Sequence, residues 1–144
     1  MHKKYFWFFL TLLLAGFAAA AGGQTSTRFV VNMPEVLMLR INGQTGGQVP
    51  LLVKGGKVAP GSLHVEVVAN CGWRLTVRAT PLVGSIVLPP ERLRLAGRPL
   101  AEYEQVVSLG KGPAKLVLPL TVDFEPGEPL GSYKSLLTFE LYKL

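Results

Sequence analysis

The sequence predicts an all-β protein, an antiparallel β-sandwich, on three observations. Apolar and polar residues alternate with a period of two in several runs, as half-buried strands do. Gly, Pro and Asn turn signals separate these runs at short intervals, the spacing expected of a sandwich or barrel. After the first 21 of the 144 residues, no segment keeps a helical period. Short connections favour antiparallel pairing, because parallel strands need long crossovers.

The N-terminus is set apart from this pattern. Met1-His2-Lys3-Lys4 is basic, residues 5–17 are almost wholly apolar, and residues 18–21 are alanine. This is the three-part layout of a secretory signal peptide, with cleavage expected after Ala20 or Ala21. The alternative, an uncleaved anchor, is weaker, because an apolar run of about 17 residues is near the lower limit for a spanning helix. Removing residues 1–21 leaves about 123 of the 144 residues and lowers the formal charge from +6 to about +4. That balance is too mild to imply nucleic acid as a partner. The expected location is the periplasm or the cell surface. Contact with a membrane is expected only through the uncleaved signal peptide.

Residues 22–27 read as a polar leader, and residues 28–144 as one domain. Within residues 28–33, Phe29, Val31 and Met33 share a face and Pro34 ends the run. This strand is expected to pair within its own domain. A neighbouring subunit could also take it up by strand addition. A second strand spans residues 36–41, with Leu37, Leu39 and Ile41 on one side. Residues 49–53 contain Pro50, which places them at a sheet edge or outside any strand. Leu63, Val65, Val67 and Ala69 then alternate with polar neighbours, and Trp73, Leu75 and Val77 alternate with Arg74, Thr76 and Arg78. Asn70-Cys71-Gly72 lies between these two runs and suits a tight turn. Residues 62–78 are therefore expected to form a β-hairpin with Trp73 at the centre of its apolar face.

Residues 79–103 are the least regular, with short strands expected over 85–88 and 92–95. Residues 105–109 form another strand, and Gly110-Lys111-Gly112-Pro113 a turn. Residues 115–124 alternate cleanly, although Pro119 needs an open edge or a bulge. After a turn at 125–131, residues 133–144 close the chain with Leu137, Phe139 and Leu141 on one face.

Catalytic chemistry finds little to work with. Beyond the signal region there is one His (His64), one Cys (Cys71) and one Asp (Asp123). His64 falls on the outward face of its strand beside Glu66, and no nucleophile elbow accompanies it. The pairs Glu102/Glu104 and Glu125/Glu128 could serve a glycosidase, but they lie in polar, turn-like stretches where carboxylates are ordinarily solvated. Lys54-Gly55-Gly56-Lys57 lacks phosphate-loop spacing. No cluster of metal-ligand types occurs, and no cofactor is expected. Cys71 cannot form an intrachain disulfide; it could pair between molecules, but reads first as a small buried residue at the hairpin corner. The one suggestive surface feature is arginine. Arg74, Arg78, Arg92, Arg94 and Arg98 could grip an anionic polymer if they meet in space. The alternative is a solvated face paired with nearby glutamates.

Two segments resemble known modules. Cys71-Gly72-Trp73-Arg74-Leu75-Thr76-Val77 resembles the strand around a W-x-L motif in bacterial surface domains. Residues 126–139, containing Gly131-Ser132-Tyr133, resemble the turn and last strand of bacterial Ig-like surface modules and fimbrial subunits. A second Trp motif is replaced by Phe139-Glu140-Leu141. The resemblance implies an Ig-like sandwich that works without catalysis as a structural or adhesion subunit. Its partners would be other surface or pilus subunits, or copies of itself joined by strand addition. The alternative is a module that binds carbohydrate or an anionic envelope polymer.

Overall fold

The computed structural model describes residues 33–144. The signal peptide, the leader and the strand expected over 28–33 lie outside the described residues, except that Met33 is exposed and in no strand.

In chain order the strands are β1 (Leu37–Ile41), β2 (Gln44–Thr45), β3 (Gln48–Lys54), β4 (Lys57–Ala59), β5 (Ser62–Ala69), β6 (Gly72–Ala79), β7 (Leu82–Val83), β8 (Val87–Leu88), β9 (Leu93–Leu95), β10 (Arg98–Pro99), β11 (Gln105–Lys111), β12 (Ala114–Val122) and β13 (Ser132–Lys143). One 3₁₀ turn, Pro90–Arg92, precedes β9. Sheet I has the order β10-β9-β12-β5-β1-β2, and sheet II the order β11-β6-β13-β3-β4, with the β7–β8 hairpin attached to β13. Every pairing is antiparallel. The fold is thus the expected all-β antiparallel sandwich.

The two sheets bury one core between them. Leu63, Val65 and Val67 come from β5; Trp73, Leu75 and Val77 from β6; Tyr133, Leu137 and Phe139 from β13. These are the residues that the period-two pattern assigns to one face of each strand. Tyr133, which opens the last strand, is fully buried. Its ring lies 5.6 Å from that of Phe124, and its hydroxyl donates to the Pro129 carbonyl at 2.6 Å. That bond satisfies the one polar atom of the ring and ties the 123–131 connection to the start of β13.

The expected hairpin over 62–78 is not formed. β5 pairs with β1 and β12 in sheet I, whereas β6 pairs with β11 and β13 in sheet II. Asn70-Cys71-Gly72 is therefore an arch that carries the chain from one sheet to the other. In a hairpin the two apolar rows would lie side by side; in the arch they face each other across the core. Both arrangements bury the same residues, so alternation alone cannot separate them. The Asn70 side chain braces the arch from the sheet I side, accepting from Val36 N and donating to the Pro34 carbonyl, each at 2.8 Å. Cys71 is half-buried at the corner rather than fully buried.

The prolines are accommodated by partial pairing. β3 is an interior strand, contrary to the expectation for residues 49–53. β4, however, pairs only with Leu52 to Lys54, so no strand among the described residues covers the flank beside Pro50. Pro119 ends the β12 pairing with β5, and the β9 pairing begins at Leu120. Each missing N–H thus falls where a neighbouring strand starts or stops.

Candidate functional site

A second arch is stacked on the first. β11 lies beside β6 in sheet II, β12 lies beside β5 in sheet I, and only Gly112 and Pro113 separate them. The two arches are bonded to each other. Gly112 N donates to the Cys71 carbonyl at 3.1 Å, and Trp73 Nε1 donates to the Gly112 carbonyl at 2.8 Å. Gly110 is the cross-strand partner of Trp73, and its missing side chain leaves room for the indole.

This stack ends on one side of the sandwich with two edges that no strand among the described residues covers. β11 is the last strand of sheet II. β12 is covered on its outer flank by β9 only over Leu120 to Val122, so residues 114–118 of that flank have no strand partner among the described residues. Edge N–H and C=O groups of this kind are a template for another strand. Between the two edges lies a cavity of about 480 Å³, lined by Val77, Leu95, Leu100, Val106, Val107 and Leu118. Leu109 and Val117 stand exposed on the outer faces of the same two strands. Arg98, from β10, spans the mouth and donates to the Val106 carbonyl at 3.5 Å. The register of β11 also shifts between Val106 and Ser108, which bends the strand where Arg98 meets it.

The five arginines do not form one patch. Arg74 and Arg78 lie on the outer face of sheet II. Arg74 sits 5.2 Å from the centre of the Tyr142 ring, and Arg78 pairs with Glu140 at 3.7 Å. The Tyr142 hydroxyl lies within hydrogen-bonding reach of both Glu140 and Glu104, and these carboxylates push its pKa up, Glu140 first. Thr76, which alternation sets on the face opposite Leu75 and Val77, is also buried. Arg94 is across the sandwich on sheet I, held by Asp123 at 2.7 Å. Arg98 is in the mouth described above.

Arg92 is a structural lock. Its Nη2 lies 3.1 Å from Glu125 and 3.2 Å from Glu128, fastening the 123–131 connection to the 3₁₀ turn. Glu128 is held below the usual carboxylate range, chiefly because Glu125 N donates to it and then because Arg92 lies beside it. A lowered folded-state pKa contributes stability above the unfolded value and loses it as pH falls through the folded one. Wild-type stability in urea is therefore expected to drop below about pH 4. Glu128→Gln should be less stable than wild type at pH 7, and the gap should close by about pH 2. A gap that stays constant with pH would show that the carboxylate charge is not what holds the loop.

His64 is exposed, and its backbone N–H donates to Asn42 Oδ1 at 2.9 Å. Among the described residues, no group of three or more His, Cys, Asp or Glu is placed to hold a metal ion. Among those residues, too, no helix is long and apolar enough to cross a membrane.

Among the described residues, the protein is a β-sandwich in which β11 and residues 114–118 of β12 each leave one flank without a neighbouring strand. No family model, curated protein or solved structure matches the sequence. Sequence reasoning missed the site, because an edge is a property of pairing. Its one trace was Pro119, which demanded an open flank.

Proposed function

We propose that the protein is a non-catalytic, exported structural or adhesion subunit of a bacterial envelope, and that it joins its neighbours by strand addition at β11 and β12. The carrying observation is the pair of edges, uncovered among the described residues, that flank an apolar cavity. A strand laid along either edge gains main-chain hydrogen bonds, and its alternate side chains can enter the cavity. The N-terminal layout and the resemblance of residues 71–77 and 126–139 to Ig-like surface modules support the same reading. The alternative, a module gripping an anionic polymer through arginine, has less support. Each of the five arginines already has a partner within the chain.

Sedimentation of the full chain tests this reading. The wild type is expected to form oligomers or filaments. Leu109→Lys with Val117→Lys places charge on both edges without touching the core, and should leave monomers of unchanged stability. A wild type that stays monomeric at about 0.1 mM, or oligomers that survive the double substitution, would refute association through these edges.

A further inference from the structure

The far side of sheet II carries a second surface. Register places Val87, Val83, Lys134, Leu52 and Ala59 in one cross-strand row. Residues in such a row share a face. This face is the outer one, because their chain neighbours Leu82, Leu88, Tyr133 and Val53 are buried in the core. The adjacent row holds Ser132, Lys54 and Lys57. Leu52, Val83 and Val87 keep 41%, 56% and 66% of their surface exposed.

Three connections gather at this end and extend the surface. A Cβ built on Gly56, in the β3–β4 turn, would lie 3.8 Å from Leu130 Cδ2. One built on Gly131 would lie 3.8 Å from Ser85 Oγ, in the β7–β8 turn. Leu130 and Ile86 are themselves exposed. The aliphatic groups therefore continue from the sheet face onto the loop tips.

Charge indicates what covers them. Among the described residues, Lys54, Lys57 and Lys134 make no ion pair, and neither row contains a carboxylate. The two carboxylates of the adjoining loop, Glu125 and Glu128, are both held by Arg92. Projecting aliphatic side chains beside unpaired lysines match the boundary between lipid tails and anionic headgroups. Lysine can lay its stem along the apolar surface while its amine reaches a phosphate.

We propose that this face docks on an anionic phospholipid bilayer, with Val83, Ile86, Val87 and Leu130 at the acyl boundary and the three lysines on lipid phosphates. It lies at the β4 side of sheet II, away from the β11 edge, so docking and strand addition can occur together. The proposal does not depend on the assembly reading.

The test uses the full chain carrying Cys71→Ser and a polarity-sensitive fluorophore at Ile86→Cys. A second protein carries the fluorophore at Lys111→Cys, at the opposite end of sheet II. Vesicles of phosphatidylcholine and phosphatidylglycerol should blue-shift the probe at position 86 and leave that at 111 unchanged. This contrast separates docking of the sandwich from any binding by the apolar N-terminal run. Lys54→Gln with Lys57→Gln and Lys134→Gln should weaken the response on the order of 100-fold, at about fivefold per lysine. Raising the salt to about 0.5 M should weaken it as well. Leu52→Ser with Val83→Ser and Val87→Ser should abolish it while the protein stays folded by near-ultraviolet circular dichroism. The proposal is overturned by no shift at position 86, by an equal shift at 111, or by an equal shift on pure phosphatidylcholine. A response that survives the lysine substitutions also overturns it. So does a serine variant that instead breaks up an oligomer formed without vesicles, since the face would then be a protein interface.

Discussion

Trp73→Ala is expected to lower the unfolding free energy by about 3–5 kcal/mol, the range for removing a large aromatic side chain from a core. Trp73 retains 1% of its surface and is the largest of the fully buried side chains. Its position adds to the effect. The indole lies under both arches, and its Nε1–H satisfies the Gly112 carbonyl. Truncation thus opens a cavity and also removes a hydrogen bond that holds the second arch to the first. Urea unfolding followed by circular dichroism reads the loss directly. Trp73→Phe separates the two contributions, since it keeps most of the apolar area and deletes only the bond and part of the volume. It should fall between wild type and alanine. A loss below about 1 kcal/mol for Trp73→Ala would contradict the packing described here.

Gly110→Ala should be costly for the opposite reason, by about 1–3 kcal/mol, as overpacking generally is. Gly110 has no positive φ, so the backbone does not require glycine there. Space does. A Cβ at 110 would lie 2.9 Å from Trp73 Cε2 and Cη2 and would overlap Cζ2. The ring cannot turn away without giving up its bond to Gly112. The clash belongs to the pair, so the two substitutions should not add. In the Trp73→Ala background, Gly110→Ala should be close to neutral or slightly stabilising, because the new methyl group enters the vacated space. A double-mutant cycle measures this coupling. Additivity within about 0.5 kcal/mol would mean that Gly110 is needed for something other than the indole.

Much of the sandwich was legible in advance, and the reason is visible in β5, β6, β12 and β13. Each has an apolar side chain every second residue along most of its length, and in each those residues face the core. Period two is a local property that survives whatever strand lies alongside. Partnership is not local. Asn70-Cys71-Gly72 would serve a hairpin or an arch equally well, and the choice fell to the arch because β6 finds β13 and β11 rather than β5. Pro50 shows the same limit. It was expected to put residues 49–53 at an edge or outside any strand, yet β3 is an interior strand whose neighbour β4 is short enough to stop before Pro50.

The candidate sites follow the same division. Arginine content suggested an anionic patch, but long cationic side chains settle on whichever acceptor the fold brings near. Arg94 meets Asp123, 29 positions away, and Arg92 meets Glu128, 36 positions away. The lysine face went unnoticed because Leu52, Val83, Lys134 and Val87 come from four separate strands. By itself, the sequence determined the secondary-structure class and the inward residues of each main strand, since both depend on hydrophobic periodicity over a few neighbouring positions. Only the tertiary structure decided which strands pair, which edges stay open and which charges remain unpaired, because those depend on groups far apart in the chain competing for the same hydrogen bonds and the same space.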